Sequence, residues 1–505
     1  MYTRRTVAGL AAAYARKEDG RMKGRRVVMV CLCCAVLGAV WGAGMAFGAG
    51  AAPAAGVASD YNDQWPAWRG PEANGVARNA DPPVKWDEKT NVKWKVEIPG
   101  SGHASPIVWK DRVFVLTSIP SGEKAGSGDQ KPAAAAIPGI PMKNPGGVQK
   151  FEVLCLDRKD HSTVWRRTVA EKVPHAGTHA DGSWASGSPV TDGERLYAFF
   201  GSNGLYCLDM NGNPLWDKDL GKMKVRMNFG EGSSPVLCGD RLIVNWDHEA
   251  GSFIVAFDKK TGDQLWKIPR EEATSWATPL VVVVGGRRQM GTKATKSILH
   301  YNQVTWDVVV GGKPQVITSA TKRIRSYDVA TGALVWECGG MTENVIPSPV
   351  AAGGMAYMMS GYRGNALVCV DLSKAKGDIT NSPAVLWKYD RDTSYAPSPL
   401  LYDGALYFLK SNAEELSCLE AKTGKVHFSA QKIEGLKGVY SSPVGAKGRV
   451  YITGRNGVTV VIQLGPEYKV LATNALDDSF TASAALVGKE MFLRGFKALY
   501  CITEK

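Results

Sequence analysis

Short apolar runs alternate with polar turns through most of the chain. In Ser398–Phe428, "SPLLYDGALYFLKSNAEELSCLEAKTGKVHF", the runs predict four strands, at Leu400–Tyr402, Ala405–Lys410, Glu415–Leu419 and Lys425–Ser429. The last turn of this stretch recurs. "FDKKTGDQLWKI" at Phe257–Ile268 and "YDVATGALVWE" at Tyr327–Glu337 share the form of "LEAKTGKVHF" at Leu419–Phe428. A carboxylate that accepts backbone N–H bonds, followed by Thr-Gly, specifies a hairpin with glycine at positive φ, and the aromatic gives the return strand bulk.

A second marker, Ser-Pro before an apolar strand, stands at Ser105, Ser188, Ser234, Ser348, Ser398 and Ser442, with Thr278-Pro279 and Ser483-Ala484 as variants. Uninterrupted intervals between markers run from 41 to 50 residues, and the two long ones, 83 and 70, each hold an insertion. Four strands every ~45 residues is the pattern of propeller blades. The expected fold is all-β: an eight-bladed β-propeller of four-stranded blades over residues 91–505. Units end on Trp165, Trp216, Trp266, Trp336, Trp387, Phe428 and Tyr468, but the eighth stops at Lys505 before reaching an aromatic. Trp94, in "NVKWKVEI", supplies the missing one, so the N-terminal strand is expected to complete the last blade and close the ring without a free sheet edge. Two inserts interrupt the pattern. The Pro/Gly/Ala-rich one at 119–149 is expected to be a mobile loop between the second and third strands of blade 1. The one at 285–313 extends the first turn of blade 4 and has no assigned fold.

Composition agrees with a large folded body: 44% hydrophobic residues, with 15 Trp and 56 Gly, exclude disorder for most of the chain. The net charge of +13 is partly terminal, because residues 1–26 hold eight Lys/Arg and two Asp/Glu. The rest carries 53 Lys/Arg against 46 Asp/Glu, a surplus of seven that is ordinary for solubility, and no basic cluster interleaved with aromatics marks nucleic acid. Lys23 to about Ala52 has a basic start, an apolar run and a small-residue end, the layout of a secretory signal, so residues 1–52 are expected to direct a periplasmic or secreted protein. A retained membrane anchor is the alternative for Val27 to Gly50. Residues 53–90 form an entry segment. Cys155, Cys207, Cys369, Cys418 and Cys501 occupy one repeat position just before the turn, which places them in different sheets as small buried hydrophobes rather than in disulfides.

The Asp-x-x-Thr-Gly-x-x-(apolar)-Trp motif with its Ser-Pro strand resembles the repeat of pyrroloquinoline-quinone-type propellers, from about Trp94 to Ile502. "WPAWRGPEANGV" at Trp65–Val76, "NWDHE" at Asn245 and "SGYRGNAL" at Ser360 look like a group of secreted bacterial propellers of this type. The resemblance implies the fold; quinoprotein dehydrogenases and outer-membrane assembly lipoproteins share the repeat, so it leaves function open. For a dehydrogenase it also implies a vicinal cysteine pair, a Ca²⁺ site and a catalytic Asp. The one adjacent pair, Cys33-Cys34, lies in the signal, and Glu231, Asn245 and Asp247 offer oxygen ligands without a spacing that demands them.

In such a ring, loops leading into the innermost strands share a face with the turns between second and third strands, around the channel mouth. The first set contributes His103, Trp184, Phe229, Trp276, Ile346, Tyr395, Tyr440 and Phe480; the second adds Asn203, Asp247, His248, Glu249, Lys322, Arg363, Lys410, Arg455 and Arg494. An aromatic collar with cations suits a flat anionic ligand, bound by stacking and charge-assisted hydrogen bonds. The bland alternative is that the aromatics plug the funnel and the cations are solvated. His175 and His179 in "HAGTH" lack a third metal ligand nearby. The expectation is a monomeric, non-catalytic module that binds an unidentified ligand or a periplasmic protein through this face, without a cofactor and without nucleic acid, touching a membrane only through an uncleaved signal or a partner. A dehydrogenase using pyrroloquinoline quinone with Ca²⁺ and a scaffold for outer-membrane protein assembly are the alternatives.

Overall fold

The structure is a computed structural model that describes residues 61–123, 140–285, 287–289, 308–310 and 312–504. The expected signal at 1–52 lies outside the described residues. Helix is nearly absent from them, and none is long and apolar enough to cross a membrane.

Eight antiparallel sheets follow the eight markers. Blade 6 shows the pattern, with Leu400–Tyr402, Ala405–Leu409, Glu415–Glu420 and Val426–Lys432 paired in that order. Blade 8 consists of Ala485–Val487, Glu490–Arg494 and Ala498–Ile502, and its fourth strand is Val92–Glu97 from the other end of the chain, with Trp94 opposite Cys501. The ring is closed by the N-terminal strand as its sequence implies.

The two repeated motifs turn out to be links between neighbours. Each marker N–H donates to the hydroxyl of the next marker: Ser105 to Ser188, then Ser234, Thr278, Ser348, Ser398, Ser442 and Ser483, whose own N–H returns to Ser105 Oγ, all at 2.8–3.0 Å. Around the perimeter, five tryptophans rest on the next blade's hairpin, whereas Trp336 donates to Gln315 Oε1 of its own blade. The indole N–H groups of Trp165, Trp216, Trp266 and Trp387 donate to the carbonyls of Met210, Lys259, Val329 and Ala421, and Trp94 donates to Arg158 O across the closure. The hairpin glycine is obligatory twice over. Gly424 has φ +75°, and a Cβ there would lie 2.8 Å from the Trp387 ring of blade 5. The repeated cysteines face the same indoles from across the strand, Cys155 opposite Trp165 and Cys207 opposite Trp216, where a small residue leaves room for the ring. All seven described cysteines are free and buried.

The apolar core lies between blades rather than within them: buried clusters join blades 1–2, 2–3, 3–4, 4–5, 5–6 and 6–7, and one runs from blade 7 through blade 8 to blade 1. Blade 7 departs from the expected pattern. Tyr468 precedes its fourth strand, Val470–Ala475, and packs against Phe428 of blade 6 instead.

Both inserts carry more order than their composition suggests. Of the first, 124–139 lies outside the described residues, but Met142–Lys143 pairs with Thr178–His179. Of the second, 290–307 lies outside them, while Arg287–Gln289 pairs with Val308–Val310.

The entry segment is a strap across the face that bears the turns between first and second strands. Trp65 exchanges backbone hydrogen bonds with Val108 of blade 1, and Pro66 O accepts from Thr191 of blade 2. Gly75 and Ala77 bracket Gly445 of blade 7, and Asp81 N–H reaches Gly488 O of blade 8. Arg69 pins the crossing, donating to Pro443 O, Pro399 O and Asn74 O at 2.6–2.8 Å. Gly75, at φ +89°, lets the chain fold onto that guanidinium, which a Cβ would meet at 2.5 Å.

Candidate functional site

The strap makes the channel blind. A cavity of about 610 Å³ starts at Trp68, passes the ring of marker hydroxyls and opens on the opposite face. That face carries both loop sets expected to form the collar, since isolated bridges join them at Ser101–Ser118, Glu343–Tyr362 and Phe480–Gly495. The cup has Trp68 as its floor, seven of the eight marker hydroxyls as its waist and Phe229, Trp276, Tyr362, Tyr395 and Tyr440 as its wall, with Ile140 and Pro141 at the mouth.

Six of the expected loop residues line this wall: His103, Phe229, Trp276, Ile346, Tyr395 and Tyr440. Their poses are set by specific contacts. The Trp276 indole N–H donates to Gly230 O at 2.7 Å, and Tyr395 stacks on Tyr362 with centroids 4.9 Å apart and planes 28° from parallel. The Tyr440 ring has the Arg455 guanidinium 5.1 Å from its centroid. His103 lies against Phe496 with Nδ1 buried and unpartnered among the described residues. Burial pushes its pKa down to about 3, helped by the positive charges of Lys143, Arg494 and Arg455, so it is neutral at physiological pH.

Other expected residues are not on the wall. Trp184 lines a smaller hollow beside blades 1 and 2, its indole N–H donating to Ala176 O at 2.9 Å. Phe480 is fully buried, edge-on to Tyr500 in the closing core, with its backbone bridged to Gly495. Asp247 and His248 correct the expectation most sharply. Asp247 accepts from Arg270 at 2.7 and 3.0 Å, from Ser275 Oγ at 2.7 Å and from Asn245 Nδ2 at 3.0 Å, and both ion-pair side chains are inaccessible. His248 Nδ1 accepts from Lys224 N–H at 3.0 Å while Nε2 lies 3.2 Å from Gly251 O. These side chains brace a turn.

The cations stand behind or beyond the wall, mostly paired. Arg455 holds Asp181 through two bonds at 2.6 and 3.0 Å, Lys410 holds Glu415 at 2.9 Å and Asp392 at 3.4 Å, and the exposed Arg363 lies 3.7 Å from Glu343. Arg494 is buried and donates to Leu116 O, and burial lowers its pKa to about 10. Asn203 is buried on Phe200 O, Glu249 accepts from Thr274, and Lys322 uses its backbone N–H on Glu272.

Two parts of the cup escaped the sequence reading, and a third entered it only as a candidate oxygen ligand. Tyr362 sits beside Arg363, the residue of that turn expected on the face, and lines the cup in its place. Trp68 belongs to the entry segment, which no repeat rule places in the channel. Glu231 borders both the cup and the smaller hollow; it accepts from Ser202 N–H and Oγ at 2.5 Å, and burial raises its pKa despite those bonds.

The residues do not fit a Ca²⁺-quinone site. Asp247 is committed to Arg270, Glu231 to Ser202, and no group of three or more His, Cys, Asp or Glu among the described residues is placed to hold a metal ion.

The sequence pattern of a family described as outer membrane protein assembly factor BamB matches residues 149–299 and 287–502. No curated protein matches the chain. Among solved structures, BamB from Moraxella catarrhalis is 15% identical, covering 77% of this chain and 98% of its own, with a TM-score of 0.46. Quinohemoprotein alcohol dehydrogenase from Comamonas testosteroni is 10% identical, covering 89% and 84%, with a TM-score of 0.50. At such identities the likeness is one of fold.

Proposed function

The chain belongs to the BamB-described family of propellers, and from that premise we propose that it is an exported, non-catalytic binding protein that takes a small ligand into its blind cup. The observation that carries this reading is the cup itself: about 610 Å³, closed at the floor, with aromatic walls held by their own hydrogen bonds and stacking. Ligand sites are typically concave, largely apolar, preformed spaces of ~300–1,000 Å³ with a few convergent polar groups. A periplasmic location is part of this reading, supported by the signal-like leader and the family match. Catalysis is not part of the reading, because among the described residues the wall offers no nucleophile–base pair and the acidic groups beside it are tied to their own partners.

Protein purified from its native compartment, analysed by native mass spectrometry, visible spectrum and metal content, should carry a small molecule. Ala396→Trp, which fills the cup from a half-buried wall position, should abolish that cargo, and Trp276→Ala should weaken its retention. Dye-linked alcohol or sugar oxidation after incubation with pyrroloquinoline quinone and Ca²⁺, lost on Trp276→Ala, would overturn the reading in favour of a dehydrogenase.

A second reading, as a scaffold in outer-membrane protein assembly, draws on the extent of the family match. It predicts co-purification with an outer-membrane assembly complex that Ala396→Trp leaves intact.

A further inference from the structure

Three properties of the cup bear on the chemistry of its ligand, beginning with the waist. Each marker hydroxyl accepts one backbone N–H from the preceding blade, and none of the eight donates to a partner among the described residues. A hydroxyl has one O–H and two lone pairs, so each retains a donor and an acceptor. Seven such groups border the cavity at one level. A polycarboxylate only accepts, and would leave their remaining lone pairs unmet in a partly desolvated space, at a cost comparable to a lost hydrogen bond for each. Ligand hydroxyls both donate and accept, as the ring does.

Charge gives the second argument. At the wall, Asp181 is taken by Arg455 and lies 3.6 Å from His179 Nδ1, Glu231 is taken by Ser202, and His103 is held neutral. Arg69, the buried cation below Trp68, donates from Nη1 and Nη2 to three carbonyls and is turned away from the cup, with Nε unpartnered among the described residues. No lining side chain is an unpaired cation among the described residues, so the wall does not offer the charge-assisted contacts that a flat anion requires. This revises the ligand class that the sequence alone suggests.

Shape gives the third. Trp276 and the Tyr362–Tyr395 stack present fixed aromatic planes above the hydroxyl waist, and the Trp68 floor stops anything from threading through. Fixed planes suit a ligand with an apolar face and a hydroxylated edge, and a closed floor admits only its end.

We propose that the cup binds the terminal unit of a carbohydrate: a polyhydroxylated sugar ring whose C–H face packs on the aromatic wall and whose hydroxyls engage the marker ring. This rests on the cup being the ligand site. Because entry is from one end, an internal stretch of a polysaccharide does not fit, whereas a free chain end does.

The test is retention of the full exported chain on a glycan array of neutral hexose, N-acetylhexosamine and uronate oligosaccharides. Each is displayed with a free distal end and with that end capped by a bulky group. At least one free-ended glycan should be retained, its capped form should not be, and retention should fall at least tenfold in Ala396→Trp and in Tyr440→Ala. A correctly folded Ser398→Ala chain, lacking one hydroxyl of the ring, should bind the same glycan several-fold more weakly. No retention above the Ala396→Trp background, or equal retention of capped and free ends, overturns the proposal. If native cargo is present but is not a carbohydrate, the cup reading stands and the ligand class falls. If there is no cargo and no glycan binds, both fall.

Discussion

Gly424→Ala tests the claim that hairpin glycines serve the neighbouring blade as well as their own turn. Two effects add at this position. At φ +75° an alanine suffers left-handed backbone strain of about 1–2 kcal/mol. Its Cβ would also lie 2.8, 3.0 and 3.2 Å from three ring atoms of Trp387, so that indole must move, at a further cost of about 1–3 kcal/mol for overpacking. The expected total is about 2–5 kcal/mol. Gly404 is the internal control: it lies in the same blade at φ +81° with nothing within 4 Å of an added Cβ, so Gly404→Ala should cost the strain alone. Urea unfolding midpoints, compared at equal slope, measure both. In a Trp387→Ala background the two alanine substitutions should cost the same, giving a coupling energy of about 1–3 kcal/mol between Gly424 and Trp387. Equal costs in the unmodified chain, or no coupling, would refute the socket role of the hairpin.

Asp247→Ala leaves Arg270 buried without its carboxylate and should lose about 3–5 kcal/mol of stability, while the affinity of the folded fraction for cup ligands stays unchanged in a calorimetric titration. Deleting residues through Glu97 removes both the strap and the partner strand of Ala498–Ile502, and the exposed edge should show as self-association in sedimentation velocity. His103 contributes pH dependence of definite sign. The unfolded chain takes up its proton near pH 6.5 but the folded chain only near 3, so stability is intact above 6.5 and falls on acidification. His103→Gln should lose less stability than the parent between pH 6.5 and 4, as read from urea midpoints.

The ring was legible because its two markers repeat at a period of about 45 residues, and repetition survives in a single sequence. What the markers do was not legible. The Ser105 hydroxyl serves the amide of Ser483, 378 positions away, and Trp94 docks on Arg158 O, so neither motif explains itself within its own unit. The aromatic collar was read from loop position, and the structure places Phe229, Trp276, Tyr395 and Tyr440 on the cup wall. That reading fails for Phe480, whose loop pairs with Gly495 and turns the ring into the core. The cations misled for a different reason. Arg455 looks free in sequence, yet the carboxylate that takes it, Asp181, comes from 274 residues earlier, on a loop of a distant blade. Asp247 likewise reads as a ligand oxygen until Arg270 arrives from the outer strand of its own blade.

The strap also dictates an order of assembly. It hydrogen-bonds to blades 1, 2, 6, 7 and 8, and Val92–Glu97 pairs with the last strand of the chain, so these links cannot all form until residues as late as Ile502 are present. The earliest-synthesised part of the folded body is therefore the last to find its native partners, and the cup has no floor until then. Such long-range closure raises contact order and slows folding. It also means that a chain interrupted in its last blade cannot become a slightly smaller cup: it remains an open arc with a free strand at each end and a hole where Trp68 would sit.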